Sequence, residues 1–244
     1  MQPFTDLNRI FDEGYSFIYD MPNYGIQNVT ISTHHIGDLI LTSGKLLPWD
    51  LLMVPDDRYC LKRTLNPGRY PVLLSVANFL PVGDTRVACA MLKIGEGTPV
   101  LWEAALVDEP NSDGGERYSY GVDSGTGSFM DADVAQVLAP LVWKQSGDRD
   151  QFEEFCDRVL ADMAKHSFGV HTAGDWVDIK VNDDTGANVI VFSSGWGDGG
   201  YPSFWGYNES GNIIRLVTDL PFSEILGGRN ESLDASSGGV FLTC

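Results

Sequence analysis

The strongest constraint on this chain is its rhythm of short apolar runs broken by glycine- and asparagine-rich turns. The clearest case is Trp176 to Val181, then Asn182-Asp183-Asp184-Thr185-Gly186-Ala187, then Asn188 to Ser194. Two strand-length runs joined by a polar, glycine-containing turn predict an antiparallel hairpin. The same rhythm recurs at Ile26–Ser32, Val72–Phe79, Arg86–Ile94, Val100–Val107, Tyr201–Tyr207 and Ile213–Leu220. Leu39 to Leu47, with Thr42-Ser43-Gly44-Lys45 between apolar pairs, also reads as a hairpin. Residues 1–24 read as an irregular, aromatic-rich lead-in, and 108–116 as an acidic solvated loop.

Helical spacing interrupts the strands only in the middle. One helix is expected from a cap at Asp131 or Asp133 to about Trp143, with Pro140 kinking or ending it. A second starts at Asp148 or Asp150 and runs to about His166. Its apolar stripe is Phe152, Phe155, Cys156, Val159, Leu160 and Met163. The expected class is therefore α+β: β-rich, with antiparallel hairpins and meanders and about two helices mid-chain. The 244 residues suffice for a single globular unit over 1–244, or for two packed lobes at about 1–130 and 131–244. No internal repeat is evident.

Composition narrows the partners. There are 34 Asp+Glu against 16 Lys+Arg, a net charge of −18, which disfavours nucleic acid and anionic membrane surfaces and favours a basic protein partner. The plainer reading is that the acidity serves solubility. The N-terminus has no basic stretch followed by an apolar run, and no apolar run approaches about 18 residues. A cytoplasmic location is the simplest expectation. The four cysteines form no CxxC pair; Cys89 and Cys156 are expected as buried thiols and Cys244 as exposed. No spacing suggests a metal site, and no cofactor is expected.

Two glycine-rich segments carry the candidate chemistry. Val122-Asp123-Ser124-Gly125-Thr126-Gly127 resembles the catalytic turn of aspartic proteases and the phosphate-binding turn of actin-like ATPases. The first needs a second aspartate turn, and Asp184-Thr185-Gly186 has the composition of a hairpin turn instead. The second needs two large α/β domains, which this chain lacks. The plainer reading is a tight turn satisfied by Asp123 and Thr126. Ser193 through Tyr207 is the most distinctive segment. Trp196, Tyr201 and Trp205 are candidates to wall a ligand pocket with Thr126, and Asp198 to stand at its mouth. If the protein is an enzyme, Asp123, Asp198 and Glu103 are the candidate catalytic carboxylates.

An ordered series of motifs resembles one family. It comprises Thr42-Ser43-Gly44-Lys45 with Asp50, Pro67-Gly68-Arg69-Tyr70-Pro71-Val72, Arg86-Val87-Ala88, Trp102-Glu103, Val122 to Gly127 with Phe129-Met130-Asp131, Gly195 to Gly199, Phe204-Trp205-Gly206 and Leu216 to Asp219. The series is similar to the bacterial family called domain of unknown function 4241, over roughly residues 30 to 222. The resemblance implies a shared fold and supplies no reaction. The function expected is an acidic, immunity-like or partner-neutralising binding protein with a basic protein partner. The alternative is a carboxylate-dependent hydrolase or small-ligand-binding enzyme using the Asp123 and Asp198 loops. A regulatory module without a ligand is the third possibility.

Overall fold

The computed structural model describes residues 2–21, 23–55, 57–108, 116–143, 149–169 and 174–220. Among these described residues, twelve strands, all paired antiparallel, form two sheets. The large sheet runs in the order β1 (Ser16–Met21), β2 (Gly25–Leu41), β4 (Gly68–Leu80), β5 (Asp84–Lys93), β12 (Ile213–Asp219), β11 (Gly199–Tyr207) and β6 (Leu101–Ala104). Strand β7 (Ser119–Val122) pairs with the start of β11. The small sheet is β3 (Leu46–Trp49), β8 (Thr126–Asp131), β10 (Asn188–Ser193) and β9 (Trp176–Lys180). Helices α1 (Ala132–Trp143) and α2 (Arg149–Met163) follow β8. The class is α+β, dominated by antiparallel strands with two helices among them.

Alternation places the core. On β11, Phe204 and Trp205 point to opposite faces of the large sheet and enter different apolar clusters. The larger cluster lies between the sheets and under the helices, with Leu74, Leu92, Trp205 and Leu216 from one sheet and Phe129, Val191 and Phe192 from the other. The smaller one covers the opposite face of the large sheet, where Leu7 and Ile10 pack on Val29, Phe79, Ala88 and Phe204. The buried Asp219 carboxylate fixes this N-terminal segment by accepting from Phe4 N (2.9 Å), Thr5 N (3.2 Å) and Thr5 Oγ1 (2.6 Å).

Several expectations change. Leu39–Leu47 is not a hairpin: β2 ends at Leu41, and β3 crosses to the small sheet to pair with β8. The lead-in contains β1, paired with β2 from Ser16↔Thr30 to Met21↔Gly25. Pro140 does not end α1, because it falls in the last turn, where only one backbone hydrogen bond is forfeited. On α2, Phe155, Cys156, Val159 and Met163 are buried, whereas Leu160 is 39% exposed at the edge of the stripe. Asp184-Thr185-Gly186 is the β9–β10 turn, closed by Val181 N donating to Ala187 O (2.8 Å). Cys89 and Cys156 are buried; Asp148, His171, Cys244 and most of the acidic 108–116 segment lie outside the described residues. Among the described residues, no helix is long and apolar enough to cross a membrane.

Candidate functional site

A buried aspartate organises each of two Ser-Gly turns. Strand β8 begins after Asp123-Ser124-Gly125, where Gly125 takes a positive φ of 67°. The backbone N–H groups of Asp123 (2.8 Å) and Ser124 (2.9 Å) both donate to Asp50 Oδ2. Ser124 Oγ (2.6 Å) and Leu52 N (2.9 Å) donate to Asp50 Oδ1. Asp50 is fully buried, and burial raises its carboxyl above the usual carboxylate range despite these four donors.

The second turn repeats the device. Thr42, Ser43 and Gly44 N–H groups all donate to Asp131 Oδ2 at 3.1 Å. Ser43 Oγ donates to Asp131 Oδ1 at 2.7 Å. Asp131 also accepts from Asp133 N (2.9 Å), which makes it the cap of α1.

These two turns are related. Ser43-Gly44 is followed by Asp50, and Ser124-Gly125 by Asp131, in the shared pattern Ser-Gly-x5-Asp. The strands between them, β3 and β8, pair with Leu46 opposite Asp131 and Trp49 opposite Ser128. Each aspartate therefore lands beside the other segment's turn and cradles it. This local pseudo-twofold is a short internal repeat that composition does not reveal.

The Asp198 turn docks on the Asp123 turn. Asp198 Oδ1 accepts from Gly125 N (3.2 Å), and Gly125 O accepts from Ser194 N (2.9 Å). Tyr201 Oη donates to Gly197 O (2.7 Å), closing the 195–200 loop. Pairing of Val122 with Gly199 and of Gly121 with Gly200 continues the contact into β7 and β11. The two glycine-rich segments thus form one structure, with the Asp123 and Asp198 side chains on its exposed side.

The other candidates scatter around it. Thr126 is buried, with its hydroxyl 2.7 Å from Ser124 Oγ. Trp196 packs against Tyr19 and Phe79 in the smaller cluster, with the Arg86 guanidinium 5.0 Å from its ring centre. Trp205 is buried in the larger cluster on the other face of the sheet. Glu103 lies on β6, opposite Trp205, and pairs with Arg63 at 3.3 Å. Trp196 and Trp205 therefore do not share a wall with Asp123.

What borders Asp123 is an open cleft of about 880 Å³, with Trp49, Tyr59, Arg58, Arg117 and Gln136 among its lining residues. The Arg117 guanidinium sits 4.7 Å from the Trp49 ring centre, and its Nε donates to Ser119 O at 2.9 Å. An aromatic floor with cations and one carboxylate can hold a polar, planar group. Among the described residues, no group of three or more His, Cys, Asp or Glu side chains is placed to hold a metal ion.

Residues 39–218 match the family described as "Protein of unknown function (DUF4241)". The chain belongs to this family. The match runs from the end of β2 through both paired turns into β12. No curated protein and no solved structure gives a significant match. Family membership therefore accounts for the ordered motifs, while chemistry must be argued from the site itself. Sequence reasoning missed the roles of Asp50 and Asp131 as turn cradles. The shared Ser-Gly-x5-Asp spacing was the signal that could have found them.

Proposed function

We propose that the protein is an acidic binding protein that captures a basic protein partner, in an immunity-like or partner-neutralising role. The observation that carries the reading is the unbalanced surface charge. Several of the protein's cations sit against its own carboxylates, as in Arg63–Glu103, Arg69–Asp38, Arg86–Asp84, Lys93–Glu96 and Lys180–Asp183. The carboxylates exceed the cations by 34 − 16 = 18, so the far field is negative. Asp123 and Asp198 stand exposed on turns that hydrogen bonds hold together. Such a surface attracts a cationic partner and accelerates its encounter. The immobilised protein should retain basic proteins from a bacterial lysate at low salt and release them at high salt. Replacing Asp123 and Asp198 together by Asn should weaken retention, chiefly through slower association. Capture of nothing at either salt would count against the reading.

A second reading, a carboxylate-dependent hydrolase or small-ligand-binding enzyme, is favoured by the cleft beside Asp123. It requires a small molecule that raises the melting temperature of the protein and loses that effect in Asp123→Asn. A ligand screen in which no compound behaves this way would remove it.

A further inference from the structure

We infer that the cleft beside Asp123 binds a small molecule that joins an oxyanion, phosphate or carboxylate, to a planar ring, an inference that rests on the small-ligand reading. Four segments meet at this cleft. Trp49 ends β3, Arg58 and Tyr59 come from a one-turn 3₁₀ helix (Asp57–Tyr59), Gln136 comes from α1, and Arg117 and Asp123 flank β7. The volume of about 880 Å³ is that of a site for a single small molecule.

The arginines select an anion. The chain has 34 carboxylates against 16 cations, yet Arg58 and Arg117, far apart in sequence, converge on one cleft. Arg117 is oriented before any ligand arrives: its guanidinium sits 4.7 Å from the Trp49 ring centre and its Nε donates to Ser119 O at 2.9 Å. A guanidinium carries five N–H donors, so it can meet an oxyanion while keeping the partners it already has. Its planar fork suits phosphate and carboxylate alike.

The rest of the wall selects the ring. Trp49 is buried and braced by Tyr59 (ring centres 5.7 Å apart) and Tyr120 (6.2 Å), so the half-buried Tyr59 is the face on which a ring would stack. Asp123 is held through its backbone N–H, which donates to Asp50 Oδ2 at 2.8 Å, and its exposed carboxylate can accept an N–H or O–H of the ligand. Gly121 leaves the space open. Its neighbours Tyr120 and Val122 are buried, so alternation turns position 121 away from the core, and a Cβ there would meet nothing within 4 Å. A larger side chain at 121 would enter the cleft without disturbing the strand.

The test is isothermal titration calorimetry of the full chain with two matched pairs of probes: adenosine monophosphate against adenosine, and 4-aminobenzoate against aniline. In at least one pair the charged member should bind at least about tenfold more tightly than its uncharged counterpart. Arg117 packs on Trp49, so Arg58→Gln, at an exposed side chain, is the variant that keeps the test independent of folding. It should reduce the preference at least about threefold, an exposed charged contact being worth less than a buried one. Gly121→Val should abolish binding at an unchanged melting temperature. Equal affinities within both pairs, a preference unchanged in Arg58→Gln, or binding unchanged in Gly121→Val would each overturn the inference while leaving the small-ligand reading standing. Binding of none of the four probes would also overturn it, and the melting-temperature screen for any ligand lost in Asp123→Asn would then decide the small-ligand reading separately.

Discussion

At the residue scale, this protein uses aspartates as backbone receptors. Asp50, Asp131 and Asp219 are all fully buried, and each gathers N–H and O–H donors from distant chain. Asp50→Asn and Asp131→Asn should each cost about 1–3 kcal/mol or more in chemical denaturation, because an amide NH₂ then faces N–H donors that it cannot accept. The two turn glycines should differ. A Cβ at Gly44 would meet Leu65 O at 2.1 Å, whereas at Gly125 it meets nothing within 4 Å. Gly125→Ala should cost only about 1 kcal/mol, the strain of a positive φ, and Gly44→Ala clearly more. Burial also raises Asp50 and Asp219 above the ordinary carboxylate range, and partial desolvation together with the nearby Asp38 charge raises the more exposed Asp178. A raised folded-state pKa means that the native protein binds protons before the unfolded chain does. These groups therefore add stability as pH falls from their folded values toward the ordinary range, and that contribution is lost as pH rises. Asp178→Asn keeps an acceptor for Asn188 Nδ2 (2.7 Å) and removes the ionisation. Its stabilisation relative to wild type should be greatest well above the ordinary carboxylate range and should shrink as pH is lowered toward that range. The turns themselves were legible in their glycines and serines. Their receptors were not, since Asp50 lies 73 residues from the N–H of Asp123.

At the element scale, local periodicity identified what neighbouring residues decide. The β9–β10 hairpin and both helices follow from alternation, turn composition and the apolar stripe. The α2 stripe also separates strong from weak positions. Phe155→Ala should cost about 3–5 kcal/mol, while Leu160→Ala, at the exposed margin, should cost markedly less; thermal melts of the pair check the ordering. Strand β3 escaped because its partner, β8, lies about 80 residues away and neither flank records the pairing. β1 escaped because its outward face carries Ile18 beside Ser16 and Asp20, which blurs the alternation that its inner face, Phe17, Tyr19 and Met21, keeps cleanly.

At the scale of the whole molecule, two sheets sharing one apolar cluster bring the Asp123 and Asp198 turns together. Each turn was visible in the sequence as a glycine-rich punctuation. Their meeting was not, because it depends on β7 joining the start of β11. The aromatics next to Asp198 were expected at one pocket, and alternation along β11 together with the loop at Trp196 sends them to opposite faces of the sheet. The proposed capture rests on the acidic exterior. The most direct test is the association rate of a captured basic partner measured at about 0.1 M and about 1 M ionic strength, across which the Debye length falls from about 10 Å to about 3 Å. Electrostatic capture predicts an association rate at least about tenfold slower at high salt with a nearly constant dissociation rate. An association rate indifferent to salt would contradict it.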